Sequence, residues 1–330
     1  MKIAIVKLSA LGDIIHAMVV LQFIKKHHPE TVIDWVVEEA FKGVLEHNPH
    51  INQIHTVKFQ QAKKTKSLLL LLNELREIRR FGQYDLVIDT QGLVKSALVA
   101  RLIPSLVTLG FNEHSLRESF AAKFYSKTFQ IDYSNNVIER NLAIVGHELS
   151  FSFDANDIVN KRPFLHTSKA YVFDLLSMDK KNIVLIPGAS FPSKCYPFEK
   201  FAQLTLELDA NYLVVWGNEM EKNIADEIKG LSTRVSIMPK LSLDELMSLI
   251  SQVDLVIGSD TGPTHMAWAL NTPSITLFGP TPGCRNTYAT DINRIIESKS
   301  KVNPLKIDKN DFSIKDIRVS DIVNMSRDLF

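Results

Sequence analysis

The chain has 330 residues, of which 38 are basic and 37 are acidic, so its formal net charge is +1. This balance gives no general attraction to nucleic acid, and an anionic partner would have to bind a local patch of positive charge. The hydrophobic fraction of 45% is sufficient to bury the cores of two ordinary domains, while two widely separated cysteines predict neither a disulfide framework nor a structural zinc site.

The N-terminal segment begins with an apolar run that Lys7 interrupts after a few residues, and no small-residue cleavage site follows it. The longest apolar run elsewhere, at 68–72, is much shorter than the roughly 20 residues of a membrane-spanning helix. We therefore expect a cytoplasmic protein that at most rests on a membrane surface.

Short β-branched runs alternate with helical patterns twice along the chain, which predicts βαβ units and mostly parallel sheets. The first series places strands at 2–6, 32–37, 54–57, 84–88 and 106–109, with a strong helix at 67–80. The second series places strands at 182–186, 212–216, 235–238, 255–257 and 274–277. These patterns predict an α/β fold of two Rossmann-like, doubly wound domains that face each other across a cleft. The predicted domains are 1–165 and 166–312, with a C-terminal helix at 313–330 that packs back on the first domain.

The first strand leads into Ser9-Ala10-Leu11-Gly12-Asp13, and an amphipathic helix is predicted to start at Asp13. A carboxylate at a helix N-terminus is stabilised by the free N–H groups and by the helix dipole. Asp13 is therefore either a helix cap or a general base placed to take a proton from an acceptor hydroxyl.

A polar loop follows the first strand of the second series. Gly188 permits close backbone approach, Ser190 offers a hydroxyl, and Lys194 can neutralise phosphate charge, although the spacing fits no P-loop. The loop is either an anion-binding loop or a polar surface loop with an exposed lysine.

The segment 253–267 combines a buried strand, a turn and a helix that begins near Pro263. The turn reads Asp260-Thr261-Gly262, and free N–H groups at 261–264 are suited to a diphosphate. The same triplet occurs in aspartic proteases, but that chemistry needs a second carboxylate triplet, which the chain lacks. His265 is either a ligand contact beside this turn or a core histidine.

Two further features flank these motifs. Glu219 and Glu221 follow another predicted strand, where carboxylates either accept hydrogen bonds from sugar hydroxyls or simply favour the start of a helix. Residues 278–281 close the last predicted strand and are expected to line the same crevice.

A basic region extends from Lys58 to Arg80, with seven basic and two acidic residues and a local charge of about +5. It is either a solvated helix or a surface for a phosphorylated lipid headgroup. No helix-turn-helix, RNA-binding or zinc signature accompanies it, so nucleic acid is not an expected partner.

The segments KLSALGD, VVEEAF, DTQGLVKSALVARL, PGASFPSKCYP and GSDTGPTHMAWAL, taken in this order, resemble glycosyltransferase family 9, the heptosyltransferases of the lipopolysaccharide core. The resemblance covers nearly the whole chain. It implies a GT-B fold, an ADP-heptose donor at the C-terminal domain, and the Kdo (3-deoxy-octulosonate) residue of Kdo-lipid A as acceptor at the N-terminal domain. It also implies inversion at the anomeric carbon without a metal or other cofactor, at the cytoplasmic face of the inner membrane.

The resemblance also assigns roles to individual residues. By its position in the motifs, Asp13 resembles the family's catalytic base. Lys194 resembles the residue that offsets the negative charge as ADP leaves. The donor-binding residues that it implies are Ser190, Lys194, Glu219, Glu221, Asp260, Thr261, Gly262 and His265. The acceptor-binding residues that it implies are Ser9, Gly12, Lys63, Lys64, Lys95, Ser96 and Arg117.

The loop PGASFPSKCYP departs from the type I pattern, because its Pro-Gly start resembles the type II enzymes and Tyr196 stands where Trp is usual. VVEEAF and QGLVKSAL resemble type I, so a type I activity is expected, with type II as the alternative. A non-catalytic sugar-nucleotide-binding protein and an epimerase or hydrolase of similar fold are the alternatives from other classes. A binding protein has no use for the carboxylate of Asp13, whereas a transferase needs it.

Overall fold

The computed structural model describes residues 1–330, which form two compact units, Met1–His166 and Thr167–Phe330. The division between the units falls one residue beyond the predicted boundary. Each unit contains one six-stranded sheet, and all neighbouring strands of both sheets are parallel.

The first unit contains six strands, seven α-helices and three short 3-10 segments. The strands are β1 (Lys2–Val6), β2 (Val32–Glu38), β3 (Gln53–Val57), β4 (Tyr84–Asp89), β5 (Ser105–Phe111) and β6 (Lys127–Phe129). The helices are α1 (Leu11–Met18), α2 (Val20–His27), α3 (Phe59–Thr65), α4 (Leu68–Ile78), α5 (Val94–Leu102), α6 (Val137–Leu149) and α7 (Ala155–Val159). The 3-10 segments are Glu39–Val44, Glu113–Ser115 and Ser119–Phe124. The strand order is β3-β2-β1-β4-β5-β6.

The second unit contains six strands, six α-helices and two 3-10 segments. The strands are β7 (Asn182–Ile186), β8 (Asn211–Val214), β9 (Val235–Ile237), β10 (Leu255–Ser259), β11 (Ser274–Phe278) and β12 (Asn293–Glu297). The helices are α8 (Phe198–Glu207), α9 (Glu219–Leu231), α10 (Leu243–Gln252), α11 (Gly262–Leu270), α12 (Gly283–Asn286) and α13 (Val319–Arg327). The 3-10 segments are Pro192–Lys194 and Ser313–Asp316. The strand order is β12-β11-β10-β7-β8-β9.

The prediction of a two-domain α/β fold with parallel sheets is confirmed. The ten predicted strands are all present, with ends that shift by at most two residues. The prediction missed two edge strands, β6 and β12, and therefore took residues 278–281 to follow the last strand of the chain. None of the helices combines the length and the apolar composition needed to cross a membrane.

The predicted position of the C-terminal segment is corrected by the structure. Ile314, Ile317 and Ile322 lie in the hydrophobic core of the second unit, together with side chains of its own sheet. Gly279 allows this packing, because a Cβ atom there would lie 2.6 Å from the Cβ of Ile314. Apolar spacing predicted that the segment packs on a sheet but carried no information about which sheet.

Each sheet has one point where the chain reverses its direction of winding. In the first unit, Ile5 of β1 pairs with Trp35 of β2 on one side and Ile88 of β4 on the other. In the second unit, Leu185 of β7 lies between Val214 of β8 and Ile257 of β10. Ligands of open α/β sheets bind at the carboxyl ends of the strands beside such a point. The loops after β1, β4, β7 and β10 are therefore the expected ligand loops.

Candidate active site

Asp13 lies beyond the carboxyl end of β1, at the reversal point of the first sheet. The helix α1 begins at Leu11 with Ala10 as its cap, so Asp13 is the third residue of the helix and not its first, as predicted. Its carboxylate accepts a hydrogen bond from the Ala10 backbone N–H at 3.2 Å, and its side chain is exposed. The structure therefore fixes the position of this carboxylate and leaves it open to a ligand.

Gln91, on the loop after β4, holds the loop that precedes Asp13. Its Oε1 accepts hydrogen bonds from the N–H groups of Leu8 and Ser9 at 2.7 and 3.3 Å, and its Nε2 lies 3.4 Å from the Ser9 hydroxyl. Gln91 was not among the predicted site residues, although its place two residues after a buried strand was a usable signal. The hydrogen bonds link the two loops that flank the reversal point.

Lys95 lies near the same edge of the sheet, in the first turn of α5. Its ammonium is 3.6 Å from the carboxylate of Glu38 and 5.8 Å from the centre of the Phe59 ring. Glu38 is 1% exposed, and it also accepts a hydrogen bond from the Gln60 backbone N–H. Lys95 is therefore accessible at the surface, while its ammonium is oriented by the ion pair with the buried Glu38 carboxylate.

Ser96 does not occupy the predicted acceptor-binding position. Its side chain is fully buried, and its hydroxyl both accepts a hydrogen bond from Leu93 N–H and donates one to Leu93 O. This pairing caps α5 and leaves no exposed hydroxyl for a ligand. The structure therefore corrects the prediction for Ser96, because the sequence did not show where the helix begins.

The other predicted acceptor residues fall into two groups. Ser9 and Gly12 are half-buried and belong to the loop and the helix start around Asp13, whereas Lys63 and Lys64 are exposed on α3. Arg117 is exposed and precedes Glu118, whose carboxylate accepts a hydrogen bond from Val94 N–H at 2.9 Å. That bond brings the Arg117 segment to the start of α5, where Lys95 lies.

Asp260 is the centre of a buried polar cluster at the reversal point of the second sheet. It is 6% exposed, and its Oδ2 lies 2.8 Å from Lys194 Nζ. His265 Nε2 is 2.9 Å from Oδ1, while Thr281 and Asn286 donate to Oδ2 at 2.8 and 3.2 Å. Asp260 therefore joins the loop after β7 to the turn after β10 and to the segment after β11.

The charge state of this cluster follows from its contacts. Burial alone raises the pKa of Asp260, but the positive charge of Lys194 and the hydrogen bond from His265 hold that pKa well below its ordinary value. Asp260 is therefore an anion at neutral pH, and it holds Lys194 in a fixed position. Lys194 is 9% exposed, so Asp260 places a buried positive charge at the reversal point.

The loop after β7 is anchored to the core of the second unit on both sides of Lys194. Ser190 is exposed, whereas Ser193 is fully buried. Tyr196 is 1% exposed, its N–H donates to Ser259 Oγ at 3.3 Å, and its hydroxyl donates to Ile317 O at 3.1 Å. The residue that stands where Trp is usual in the family is therefore a structural anchor.

The helix α11 begins directly after Asp260, with Thr261 as its cap and Gly262 as its first residue. The first N–H groups of a helix have no partner within the helix, and they carry the positive end of its dipole. Pro263 has no N–H, so Gly262 and Thr264 supply the backbone donors nearest the turn. The arrangement is suited to an anionic group at the start of the helix.

Glu221 lies against Gly188 and joins the loop after β7 to the loop after β8. A Cβ atom at Gly188 would be 2.4 Å from the Glu221 carboxyl carbon, and Gly217 N–H donates to the carboxylate at 2.7 Å. Glu219 is exposed at the first position of the same helix, after its cap Asn218. Both acids therefore lie at the carboxyl edge of the second sheet.

We expect Gly188→Ala to impair donor binding far more than folding. The added methyl group displaces the flexible Glu221 side chain, so the free energy of unfolding falls by at most about 1 kcal/mol. The Kd for ADP, measured by calorimetry, rises at least about tenfold. Gly230→Ala is the matched control, since a Cβ atom there meets nothing within 4 Å. A normal ADP affinity in Gly188→Ala would contradict the predicted donor contact of Glu221.

Two Rossmann-like units, one with an exposed carboxylate at its reversal point and one with a buried lysine beside a helix N-terminus, are the arrangement expected of a GT-B sugar-nucleotide-dependent glycosyltransferase. The chain belongs to glycosyltransferase family 9 (heptosyltransferase), whose profile matches residues 73–308. The membership that the motifs predicted is confirmed.

Two relatives support this assignment along the chain. Lipopolysaccharide heptosyltransferase 1 of Campylobacter coli is 40% identical, with 100% of this chain and 99% of the relative covered. Lipopolysaccharide heptosyltransferase 1 of Pseudomonas aeruginosa is 28% identical, with 87% of this chain and 81% of the relative covered.

Solved structures support the fold. The E. coli heptosyltransferase WaaC with ADP superposes with a TM-score of 0.80 at 24% identity and covers both chains completely. The E. coli ADP-heptose lipopolysaccharide heptosyltransferase II gives a TM-score of 0.70 at 20% identity, with coverage of 100% of this chain and 98% of that one.

Proposed function

We propose that the protein transfers L-glycero-D-manno-heptose from ADP-heptose to the Kdo residue of Kdo-lipid A, the type I reaction of lipopolysaccharide core synthesis. The observation that carries the proposal is the exposed Asp13 carboxylate at the reversal point of the first sheet. A protein that only binds a sugar nucleotide does not need a carboxylate there. The name of the Campylobacter coli relative, which is 40% identical over its length, supports the type I assignment.

In this proposal Asp13 acts as the general base. Its carboxylate takes the proton of the attacking acceptor hydroxyl, and the hydroxyl oxygen forms a bond to the anomeric carbon of heptose. The bond between that carbon and the diphosphate oxygen breaks, and ADP leaves with the electron pair. A single displacement of this kind inverts the anomeric configuration. The hydrogen bond from Ala10 orients the carboxylate without burying it.

The second unit supplies the positive charge that the leaving diphosphate needs. Lys194 Nζ, held 2.8 Å from Asp260, and the N–H groups at the start of α11 are the proposed diphosphate contacts. Ser190, Thr261, Gly262 and His265 complete the proposed donor site, with Glu221, and beside it Glu219, at the adenosine ribose. The proposal includes no metal ion or other cofactor, because these groups already provide positive charge and backbone donors.

The acceptor is proposed to bind along the carboxyl edge of the first sheet. Lys95 and Arg117 provide positive charge beside the start of α5, and Ser9 and Gly12 lie next to Asp13. Kdo carries a carboxylate and lipid A carries phosphates, so exposed basic side chains suit both parts of this acceptor. Lys63 and Lys64 on α3 are the proposed contacts to the lipid portion.

An acceptor comparison tests the type I assignment. The wild-type protein is incubated with ADP-heptose and either a deacylated Kdo-terminated acceptor or the same acceptor already carrying one heptose. We expect mass spectrometry to show the addition of one heptose to the first acceptor only. Addition to the second acceptor alone would establish the type II alternative, which the Pro-Gly start of the loop at 187–197 resembles.

We also propose that the first unit rests on the cytoplasmic face of the inner membrane through α3 and α4. Leu71, Leu75 and Ile78 of α4 pack on the core, yet Leu68, Leu69 and Leu72 are 75%, 76% and 52% exposed. Exposed basic side chains flank these leucines at Lys63, Lys64, Lys66, Arg76, Arg79 and Arg80. Apolar side chains surrounded by positive charge are suited to an anionic lipid surface.

The triple variant Leu68→Ser, Leu69→Ser and Leu72→Ser is expected to lose most of its binding to vesicles that contain phosphatidylglycerol. Wild-type binding should weaken in high salt, because the basic side chains contribute through screened charge interactions. Cosedimentation with anionic and neutral vesicles measures both effects. Leu206→Ser, at an exposed leucine of the second unit, is the control. Equal sedimentation of the wild type and the triple variant would exclude α4 as the contact.

A further inference from the structure

The first unit contains a cavity of about 790 Å³ that the proposed reaction does not use. Its walls are formed by the helix α2, the loop before β3, the helix α7 with its cap Asp154, and the segment 160–166. Phe23, Pro163 and Phe164 provide apolar surface. A volume of this size lies within the range of about 300–1,000 Å³ that is typical of small-molecule sites.

Positive charge predominates among the side chains that line this cavity. Lys25, Lys26, Lys161 and Arg162 are opposed by two acids, Asp154 and Asp157, and Asp157 is already paired with Lys26 at 3.1 Å. Lys161 is only 4% exposed, and burial lowers its pKa to about 8. An anion that enters the cavity would favour the charged form of this amine and raise its pKa.

Two imidazoles, His50 and His166, face the same space. Burial lowers the pKa of both, and the charge of Lys25 and the proximity of His166 lower the pKa of His50 further. Each ring can donate a hydrogen bond when neutral and two when protonated. An anion between them therefore finds donors at neutral pH and stronger ones at lower pH.

This cavity lies at the opposite end of the unit from Asp13. The helix α2 ends where β2 begins, and His50 precedes β3, so both contribute to the amino edge of the sheet. Asp13 follows the carboxyl end of β1. Lys25 lies twelve positions after Asp13 along nearly continuous helix, which corresponds to about 18 Å. The cavity is therefore separate from the acceptor edge.

We propose that this cavity is a second binding site, specific for a small phosphorylated molecule. Lys161 and Arg162 neutralise the phosphate, and His50 and His166 donate hydrogen bonds to it. Lys25 adds positive charge from a fixed position, because its Nζ donates to Pro29 O at 3.0 Å and to Thr31 O at 2.7 Å. Phe23, Pro163 and Phe164 hold the uncharged portion of the ligand. The site is independent of the proposed transfer reaction, because it contains none of the residues assigned to that reaction.

Nuclear magnetic resonance of the histidine ring Cε1–H groups tests the proposal directly in the full-length protein. The probes are inorganic phosphate and glucose 6-phosphate, with glucose as the uncharged control, and His50→Gln and His166→Gln assign the two signals. We expect saturable shifts of both signals with a Kd of about 1 mM or tighter for glucose 6-phosphate. The pKa values of both rings should rise, because a bound anion stabilises the protonated form.

Lys161→Met removes the buried charge while keeping a chain of similar length. It should weaken glucose 6-phosphate binding about tenfold, and thermal unfolding measured in parallel verifies that the variant is folded. Lys306→Met, at an exposed lysine of the second unit, should bind like the wild type. Unshifted His50 and His166 signals, equal shifts with glucose, or an undiminished affinity in Lys161→Met would each overturn the proposal. Shifts confined to His265 would place the phosphate at the donor site instead and would also overturn it.

Discussion

Asp13→Asn is expected to lower kcat for heptose transfer by about 10² to 10⁴-fold, because the amide cannot accept the proton of the attacking hydroxyl. The Kd for ADP-heptose should stay within about twofold of the wild-type value, since the proposed donor contacts all lie in the second unit. The melting temperature should change little, because an amide oxygen can still accept the Ala10 hydrogen bond. Initial rates, calorimetry and thermal unfolding measure these three quantities.

Glu245→Gln is the control that distinguishes the loss of a helix-capping carboxylate from the loss of a catalytic one. Glu245 is the third residue of α10, and its carboxylate accepts a hydrogen bond from Ser242 N–H at 2.8 Å, as Asp13 does from Ala10. Loss of an equivalent capping carboxylate there should leave kcat unchanged. If Asp13→Asn kept the wild-type kcat, Asp13 would be a helix cap only, and the general base would have to be another group.

Asp260→Ala is expected to destabilise the protein by about 3–5 kcal/mol, because it leaves Lys194 and His265 buried without their shared anion. Transfer activity should also be lost, since Lys194 no longer has a fixed position. Denaturant unfolding followed by fluorescence measures the first effect. Asp226→Ala is the matched control, because Asp226 pairs with Lys222 on the exposed surface of α9, where an ion pair contributes about 0.5 kcal/mol or less.

The contribution of Asp260 to stability should depend on pH in a defined direction. Its pKa in the folded protein is lower than the ordinary value of 3.8, so the folded state favours the anion. The stabilisation is therefore complete above about pH 4, the ordinary range of an aspartate, and is lost as the pH falls below it. Asp260→Asn should lack this part of the acid dependence. Identical acid unfolding curves for the wild type and Asp260→Asn would contradict the assigned charge state.

The sequence was sufficient to predict most of the fold, because the central strands are buried and apolar and alternate regularly with helices. The two missed strands lie at sheet edges: β6 has only three residues, and β12 includes the charged residues Arg294 and Glu297. Edge strands need fewer apolar side chains, so they give a weak pattern. The packing partner of the C-terminal segment depends on long-range contacts, which an apolar pattern does not specify.

Local patterns predicted the site less completely. The position of Asp13, Asp260 and Lys194 after strands was predictable, because the ends of parallel strands converge at the reversal point. The capping role of Ser96 depends on where α5 begins, and the tether formed by Gln91 joins residues more than 80 positions apart in the chain. The Asp260 cluster likewise draws on three separate loops. Contacts of this kind could be identified only from the three-dimensional structure, because they join residues that are distant in the sequence.

The most direct test of the proposed transfer is the rate of ADP release from ADP-heptose by the wild-type protein, with and without the deacylated Kdo-terminated acceptor. We predict rapid release with the acceptor and very slow release without it, because Asp13 activates an acceptor hydroxyl and not water. Release at the same rate in both reactions would indicate a hydrolase. Donor binding without any release in the presence of either the Kdo-terminated acceptor or the same acceptor already carrying one heptose would indicate a sugar-nucleotide-binding protein. Either result would contradict the assignment as a transferase.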